Sequence, residues 1–351
     1  DSFTFSATDG STDSNIATVT VTINPVNDPP VATGSCGNTL QSDPEPYFGT
    51  LGATDIDSDL LMYSLPDGST ATSLTTTKGI VTITDPTTGD FTYQPLDNAD
   101  RGRDTFTYQV TDGEGTNTAT ETIIVGQTIM PLGDSITQGS VFNGVDFGED
   151  EFRVGYRKPL FDTLGVSGYI FDFVGSLSHG WAVLTDFEHE GHGGWTAFQI
   201  AWGRLQDGTD GVFEWLDDNP ADIILLHAGT NDLRNTDEAD IADILNEVDR
   251  WENSAGGNPA TVILALIIDQ DPLNTDVTTL NAAVETMAQN RINAGDDIIV
   301  VNQHDALIYP DDLSDILHPN DSGYAKMANV WFDALTNVNP NTNEVLLDAC
   351  P

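Results

Sequence analysis

Four short blocks carry residues that could do acyl-transfer chemistry. Gly133-Asp134-Ser135-Ile136-Thr137 follows an apolar run, and Gly191-His192-Gly193-Gly194-Trp195 comes next. Gly229-Thr230-Asn231-Asp232 closes the strand-like stretch 222–227, and Asp315-Ile316-Leu317-His318-Pro319-Asn320 lies near the C-terminus. Acyl transfer to water needs a nucleophile, a base, a group that orients the base, and donors for an oxyanion. Ser135 is the candidate nucleophile. His318 is the candidate general base, taking the serine proton and returning it to the leaving alcohol. Asp315, three residues before it, would accept from the other imidazole nitrogen and fix the tautomer. The Ser135 amide, the Gly194 amide and the Asn231 side chain are the candidate oxyanion donors, with the Gly193 amide as the near alternative. Losing one such donor typically costs about 3–4 kcal/mol of transition-state stabilisation.

The remaining polar residues of these blocks are assigned other work. Asp134 and Asp232 are expected to brace their loops. His192 and Trp195 are expected to line the acyl pocket. His189-Glu190-Gly191-His192 imitates a zinc-peptidase motif but is one residue short, and its glycines oppose the helix that motif needs. His227, at a strand end, is expected to be a buried, hydrogen-bonded core residue. The chemistry calls for no cofactor and no catalytic metal.

Near-continuous apolar runs at 129–132, 169–174, 223–226, 262–268 and 298–301 alternate with helix-like segments. Ile241, Ile244, Leu245 and Val248 recur at helical spacing, as do Leu280, Val284, Met287 and Ala288. Such strands imply a parallel sheet covered on both faces. The fold class is a three-layer α/β/α sandwich, whose ligands bind at the carboxyl ends of the strands. Ser135, 229–232 and 315–318 all fall after such runs or in late loops. No Gly-x-Ser-x-Gly elbow is present, which argues against the larger α/β-hydrolase fold.

The first 126 residues read differently. They are rich in Thr, Ser, Asp and Gly, and apolar residues alternate over short runs such as 17–23 and 79–84, the pattern of an all-β sandwich. Asp1-Ser2-Phe3-Thr4-Phe5 through Thr8-Asp9-Gly10 returns as Asp104-Thr105-Phe106-Thr107-Tyr108 through Thr111-Asp112-Gly113. Residues 1–26 are then the last hairpin of a truncated repeat, 27–126 a complete one, and 127–351 the catalytic domain. Further repeats are expected upstream in the parent chain.

The chain carries 56 acidic and 11 basic residues, a net charge of −45. Both regions share the excess, so it is not a tail. Such a surface repels nucleic acid and anionic membranes. Two explanations stand: adaptation to high salt, where screening removes self-repulsion, and partial neutralisation by divalent cations. No apolar stretch approaches the length of a membrane helix. With no initiator Met and no basic-then-apolar leader, the chain reads as a processed product or a fragment. The two cysteines, Cys36 and Cys350, lie in no metal or redox spacing. They form either one disulfide, tying the first region to the C-terminal tail, or two unpaired thiols.

Residues 127–338 resemble an SGNH (GDSL) hydrolase, a flavodoxin-like fold, with all four family letters present as Ser135, Gly194, Asn231 and His318. Within it, 130–137, 156–160 and 188–196 are similar to carbohydrate esterase family 3, whose members remove acetyl groups from xylan. The resemblance implies a secreted or cell-surface serine esterase acting on small acyl esters of a polysaccharide. A lipase or arylesterase acting on longer or aromatic acyl chains is the enzymatic alternative. An adhesion or scaffold protein with a non-catalytic hydrolase domain is the alternative of another class. Residues 1–126 resemble bacterial cadherin-like or immunoglobulin-like repeats, on Asn27-Asp28-Pro29-Pro30, Asp55-Ile56-Asp57-Ser58-Asp59 and 104–113. That resemblance implies Ca²⁺ held by Asn27, Asp28, Asp55, Asp57 and Asp59, since clustered carboxylates are hard oxygen ligands. The same aspartates could instead only make turns.

Overall fold

The computed structural model describes all residues except 25, 44, 58–59, 67–72, 97–100, 140–149, 205–207, 232, 344 and 351. The chain opens with an antiparallel hairpin, Ser2–Phe5 with Ala17–Thr20. A sandwich of two four-stranded sheets follows. One runs in the order Tyr47–Thr50, Asp90–Pro95, Gly79–Asp85, Ser73–Thr75. The other runs Cys36–Thr39, Thr116–Val125, Gly102–Thr111, Met62–Ser64. Alternate residues of Gly102–Thr111 turn inward, so Phe106, Tyr108 and Val110 meet Val81, Phe91 and Tyr93 in the core. Asp104 is buried on the same face. It is satisfied by the Tyr93 hydroxyl at 2.7 Å and by the hydroxyls of Thr76 and Thr77.

Thr116–Val125 runs through Gly126 alone into Gln127–Gly133, the central strand of the second region. The sheet order there is Leu177–Ser178, Glu188–Gly191, Gln127–Gly133, Ile223–His227, Thr261–Leu266, Ile298–Asn302, with Phe171–Phe173 also pairing on Gln127–Gly133. Among the described residues, all pairings in this sheet are parallel except one. Leu177–Ser178 lies antiparallel on Glu188–Gly191 and departs from the all-parallel expectation at the sheet edge. The run expected at 169–174 yields a strand only over Phe171–Phe173.

Helices cover both faces. Ile224 and Leu226 pack with Ile200, Val212, Trp215, Ile241 and Leu280 on one side. Ile223 and Leu225 pack with Leu160, Leu164, Met327 and Trp331 on the other. Because both faces are buried, these strands read as continuous apolar runs. Among the described residues, no helix is long and apolar enough to cross a membrane.

The β-module grips the amino ends of this sheet. Cys36 and Cys350 form a disulfide, which settles the open alternative. Arg101 pairs with Asp222 at 2.6 Å, just before the strand Ile223–His227, and Arg103 pairs with Asp348 at 3.3 Å. The Ser42 hydroxyl donates to Asp172. Gln127–Gly133 is seven residues long. At 3.3 Å per residue its carboxyl end lies about 23 Å from the module.

Candidate active site

Ser135 sits where the strand Gln127–Gly133 turns into the one-turn helix Ser135–Gln138. The turn is tight. A Cβ on Gly133 would come within 2.1 Å of the His227 carbonyl oxygen, so only glycine fits there. Asp134 caps the helix by accepting from the Ile136 amide at 3.0 Å, and its second oxygen accepts from Thr230 Oγ1. The nucleophile turn is thereby fastened to the loop that carries Asn231.

The three candidate catalytic side chains form one hydrogen-bonded line. Ser135 Oγ lies 2.9 Å from His318 Nε2, and His318 Nδ1 lies 2.9 Å from Asp315 Oδ2. The other Asp315 oxygen accepts the amides of Leu317 and His318, each at 2.7 Å. One carboxylate therefore shapes the 315–318 loop and orients the imidazole. The Ser314 amide closes the loop onto the His318 carbonyl at 2.8 Å. Burial pushes the Asp315 carboxyl up, but the two amides and the imidazole outweigh it and hold it below the usual carboxylate range. With Asp315 ionised, Nδ1 carries the proton and Nε2 is free to accept from the serine. Ser135 is 7% exposed, so this line is largely dry.

Two candidate oxyanion elements flank Ser135. His192–Trp195 is a turn closed by Trp195 N donating to His192 O at 3.2 Å, with Gly194 at φ +74° in its third position. That position of a type II turn selects glycine. Gly193 packs on the nucleophile: a Cβ there would stand 3.9 Å from the Ser135 Cβ. Among the described residues, neither the Gly193 nor the Gly194 amide has an acceptor. Asn231 donates through Nδ2 to the Trp195 carbonyl at 2.9 Å, which fixes its side chain and leaves the second amide hydrogen for a ligand.

His192 and Trp195, expected to line the acyl pocket, make packing contacts beside the turn. Trp195 is 8% exposed and belongs to the core. His192 stacks on Trp215 at 4.3 Å and 14°, with Trp195 at 4.4 Å. Its Nε2 lies 2.7 Å from the fully buried Glu190, and its amide donates to Gly133 O. These rings brace the turn from behind.

His189 has both nitrogens engaged, with the Gly191 amide and with His179 at 2.9 Å. Burial holds it well below the usual imidazole range. His227 is buried, as expected, and accepts from the Ile268 amide at 3.4 Å. Two supports were not read from the sequence. Glu190 accepts the Ser176 amide and hydroxyl as well as His192. Arg157 is buried and donates to the carbonyls of Thr137, Gln138, Arg153, His179 and Phe187, pinning the far end of the nucleophile helix. Both lie in the blocks 156–160 and 188–196, but nothing in their local pattern marks them as buried.

In the β-module, Asn27 donates to Asp112 at 2.8 Å. Asp57 accepts the Asp28 amide and Asp55 accepts the Asp57 amide, each at 2.8 Å. Four of the five residues named for Ca²⁺ are thus brought into one region, and Asp59 lies outside the described residues. Among the described residues, no group of three or more His, Cys, Asp or Glu is arranged to hold a metal ion. Asp55 Oδ2 is nevertheless buried with no hydrogen-bond partner. An orphaned carboxylate oxygen fits a cation ligand.

Residues 129–331 match the GDSL-like Lipase/Acylhydrolase family, and residues 27–128 match the Bacterial cadherin-like domain. A multidomain esterase of Ruminococcus flavefaciens is 29% identical over 59% of this chain, and the match spans 28% of that protein's length. A family 3 carbohydrate esterase of Clostridium thermocellum is 30% identical, with a TM-score of 0.48, over 59% of this chain and 94% of that one. A family 3 carbohydrate esterase of Talaromyces cellulolyticus is 22% identical, with a TM-score of 0.45, over the same shares.

Proposed function

Because this chain belongs to the GDSL-like lipase/acylhydrolase family, we propose that it is a carboxylic ester hydrolase working through a Ser135 acyl-enzyme. The single observation that carries this reading is the line Ser135–His318–Asp315, with both contacts at 2.9 Å. His318 Nε2 takes the Ser135 proton as Oγ attacks the ester carbonyl. The oxyanion is received by the Ser135 amide, the amide of Gly194 or its neighbour Gly193, and Asn231 Nδ2. The imidazolium, stabilised by Asp315, then protonates the departing alcohol. Water repeats the sequence to release the acid. None of these steps calls on a cofactor.

The substrate we propose is a short-chain acyl ester, foremost acetyl, carried on a polysaccharide. The multidomain esterase relative supports an ester-cleaving role. The substrate-side test is kcat/KM over a p-nitrophenyl series from acetate to octanoate, beside acetylated xylan. A maximum at acetate with release of acetic acid from the glycan supports the reading, and a maximum at long chains replaces it with a lipase.

We also propose the divisions 1–26, 27–126 and 127–351, with the β-module as a spacer. Its attachment at the amino ends of the sheet, opposite the site, supports that role. The disulfide fits a secreted or cell-surface location, where such bonds persist. In the β-module, Asn27, Asp28, Asp55, Asp57 and Asp59 would hold Ca²⁺, which would neutralise their clustered charge. The general acidic excess we assign to a high-salt setting. Melting temperature should then rise from about 0.01 M to 1 M NaCl as the Debye length shrinks from about 30 to 3 Å, and a flat series would remove that assignment.

A further inference from the structure

With 56 acidic and 11 basic residues, a cation lacking an acidic partner is an exception in this protein. Arg101, Arg103, Arg153, Lys158, Arg250, Arg291 and Lys326 each sit in an ion pair. Lys78 and Arg157 donate to main-chain carbonyls. Among the described residues, Arg204 and Arg234 are left with no oxygen partner for the guanidinium.

Both lie beside the candidate active site. Arg234 is three residues past Asn231 and lines a cavity of about 600 Å³ with Thr230, Gln270, Asn274 and Asp276. That volume is within the range of small-ligand sites, about 300–1,000 Å³. Its two walls are tied to the catalytic parts. Thr230 is bonded to Asp134, next to the nucleophile, and the Asp271 amide donates to the Ile316 carbonyl at 2.9 Å, inside the loop that carries Asp315 and His318. Arg204 lies against Trp195, whose carbonyl holds Asn231. Its guanidinium sits 4.6 Å over the Trp195 ring, with Nε buried and unpartnered.

The lining supplies what a charged sugar needs. Thr230, Gln270, Asn274 and Asp276 offer donors and acceptors for hydroxyls. A guanidinium offers a fork matched to carboxylate or sulfate. The chain's net charge of −45 repels anions in general, whereas this cavity, which Asp276 also lines, presents a guanidinium with no acidic partner among the described residues. We propose that this cavity is the subsite for an anionic sugar unit of the glycan, with Arg234 receiving its carboxylate or sulfate. The proposal deepens the polysaccharide-esterase reading and rests on it for the identity of the ligand, but it concerns binding.

The test is therefore a binding measurement on the full chain. Calorimetry compares deacetylated glucuronoxylan oligosaccharides with their carboxyl-reduced forms, and sulfated oligosaccharides with their desulfated forms. Turnover of p-nitrophenyl acetate, followed in parallel, reports separately on the esterase reading. One of the two anionic ligands should bind about tenfold tighter than its neutral counterpart, as expected for a charge-assisted contact. Arg234→Gln should reduce that ratio to near one, and Arg234→Lys should keep part of it. The arm that responds identifies the anionic group. Equal affinities in the wild type, or a ratio unchanged in Arg234→Gln, would overturn the proposal.

Discussion

Asn231→Ala separates a catalytic role from a structural one at the same side chain. Asn231 Nδ2 donates one hydrogen to the Trp195 carbonyl at 2.9 Å. On the proposed mechanism its second hydrogen meets the oxyanion only as the tetrahedral intermediate forms. Losing that donor should cost about 2.7–4 kcal/mol at the transition state, a fall of about 10²–10³ in kcat. KM should barely move, because the interaction is absent from the ground state. Losing the contact to Trp195 costs about 1 kcal/mol of stability, or about 2–4 °C for a domain of this size. The assay is steady-state kinetics on p-nitrophenyl acetate beside a melting curve. A kcat loss below about tenfold would refute the oxyanion assignment. So would a rate loss carried entirely by KM, or one matched by collapse of the fold.

Three further predictions follow from the same structure. Replacing Cys36 and Cys350 together by serine should cost up to about 5 kcal/mol, since the bridge closes a loop of 314 residues, yet leave kcat near wild type because the bridge lies at the opposite end of the sheet. Loss of activity in a still-folded double variant would show that the module shapes the site. Burial, reinforced by Asp172 and Glu188, pushes the Asp186 carboxyl up to about 8. The folded chain therefore holds a proton that the unfolded chain has lost, and stability should fall between about pH 4 and 8 by at most about 1.4 kcal/mol per unit. Asp186→Asn should flatten that decline, and parallel melting profiles from pH 5 to 8 would count against it. Chelation of calcium should lower the melting transition of the β-module while ester hydrolysis persists, and superimposable melts with and without chelator would remove the calcium assignment.

The parts most legible in the sequence were those set by one strong local requirement. Ser135, Asn231, Asp315 and His318 stood in compact blocks because a strand end, a turn and a tight loop must each deliver a polar group at one point. Ile223–His227 and Thr261–Leu266 were legible because strands buried on both faces are apolar throughout. Glu188–Gly191 was not, because it buries His189 and Glu190 inside the sheet and so reads as a polar loop. The inward turn of Trp195 was hidden for a related reason. An aromatic residue beside a candidate oxyanion glycine suits a pocket wall and a core brace equally, and the burial of Trp195 comes from Trp215 and His192, which pack against it. The pairing of Cys36 with Cys350 depended on how the two regions meet, a relation with no local signature.

The central claim is that Ser135 is the acylated nucleophile. Ser135→Ala removes only a partly buried hydroxyl hydrogen-bonded to His318, so the fold and melting temperature should be retained. On p-nitrophenyl acetate, kcat should fall by orders of magnitude, because the serine and its base act as one unit. A correctly folded Ser135→Ala protein that keeps more than about a tenth of wild-type turnover would contradict the account.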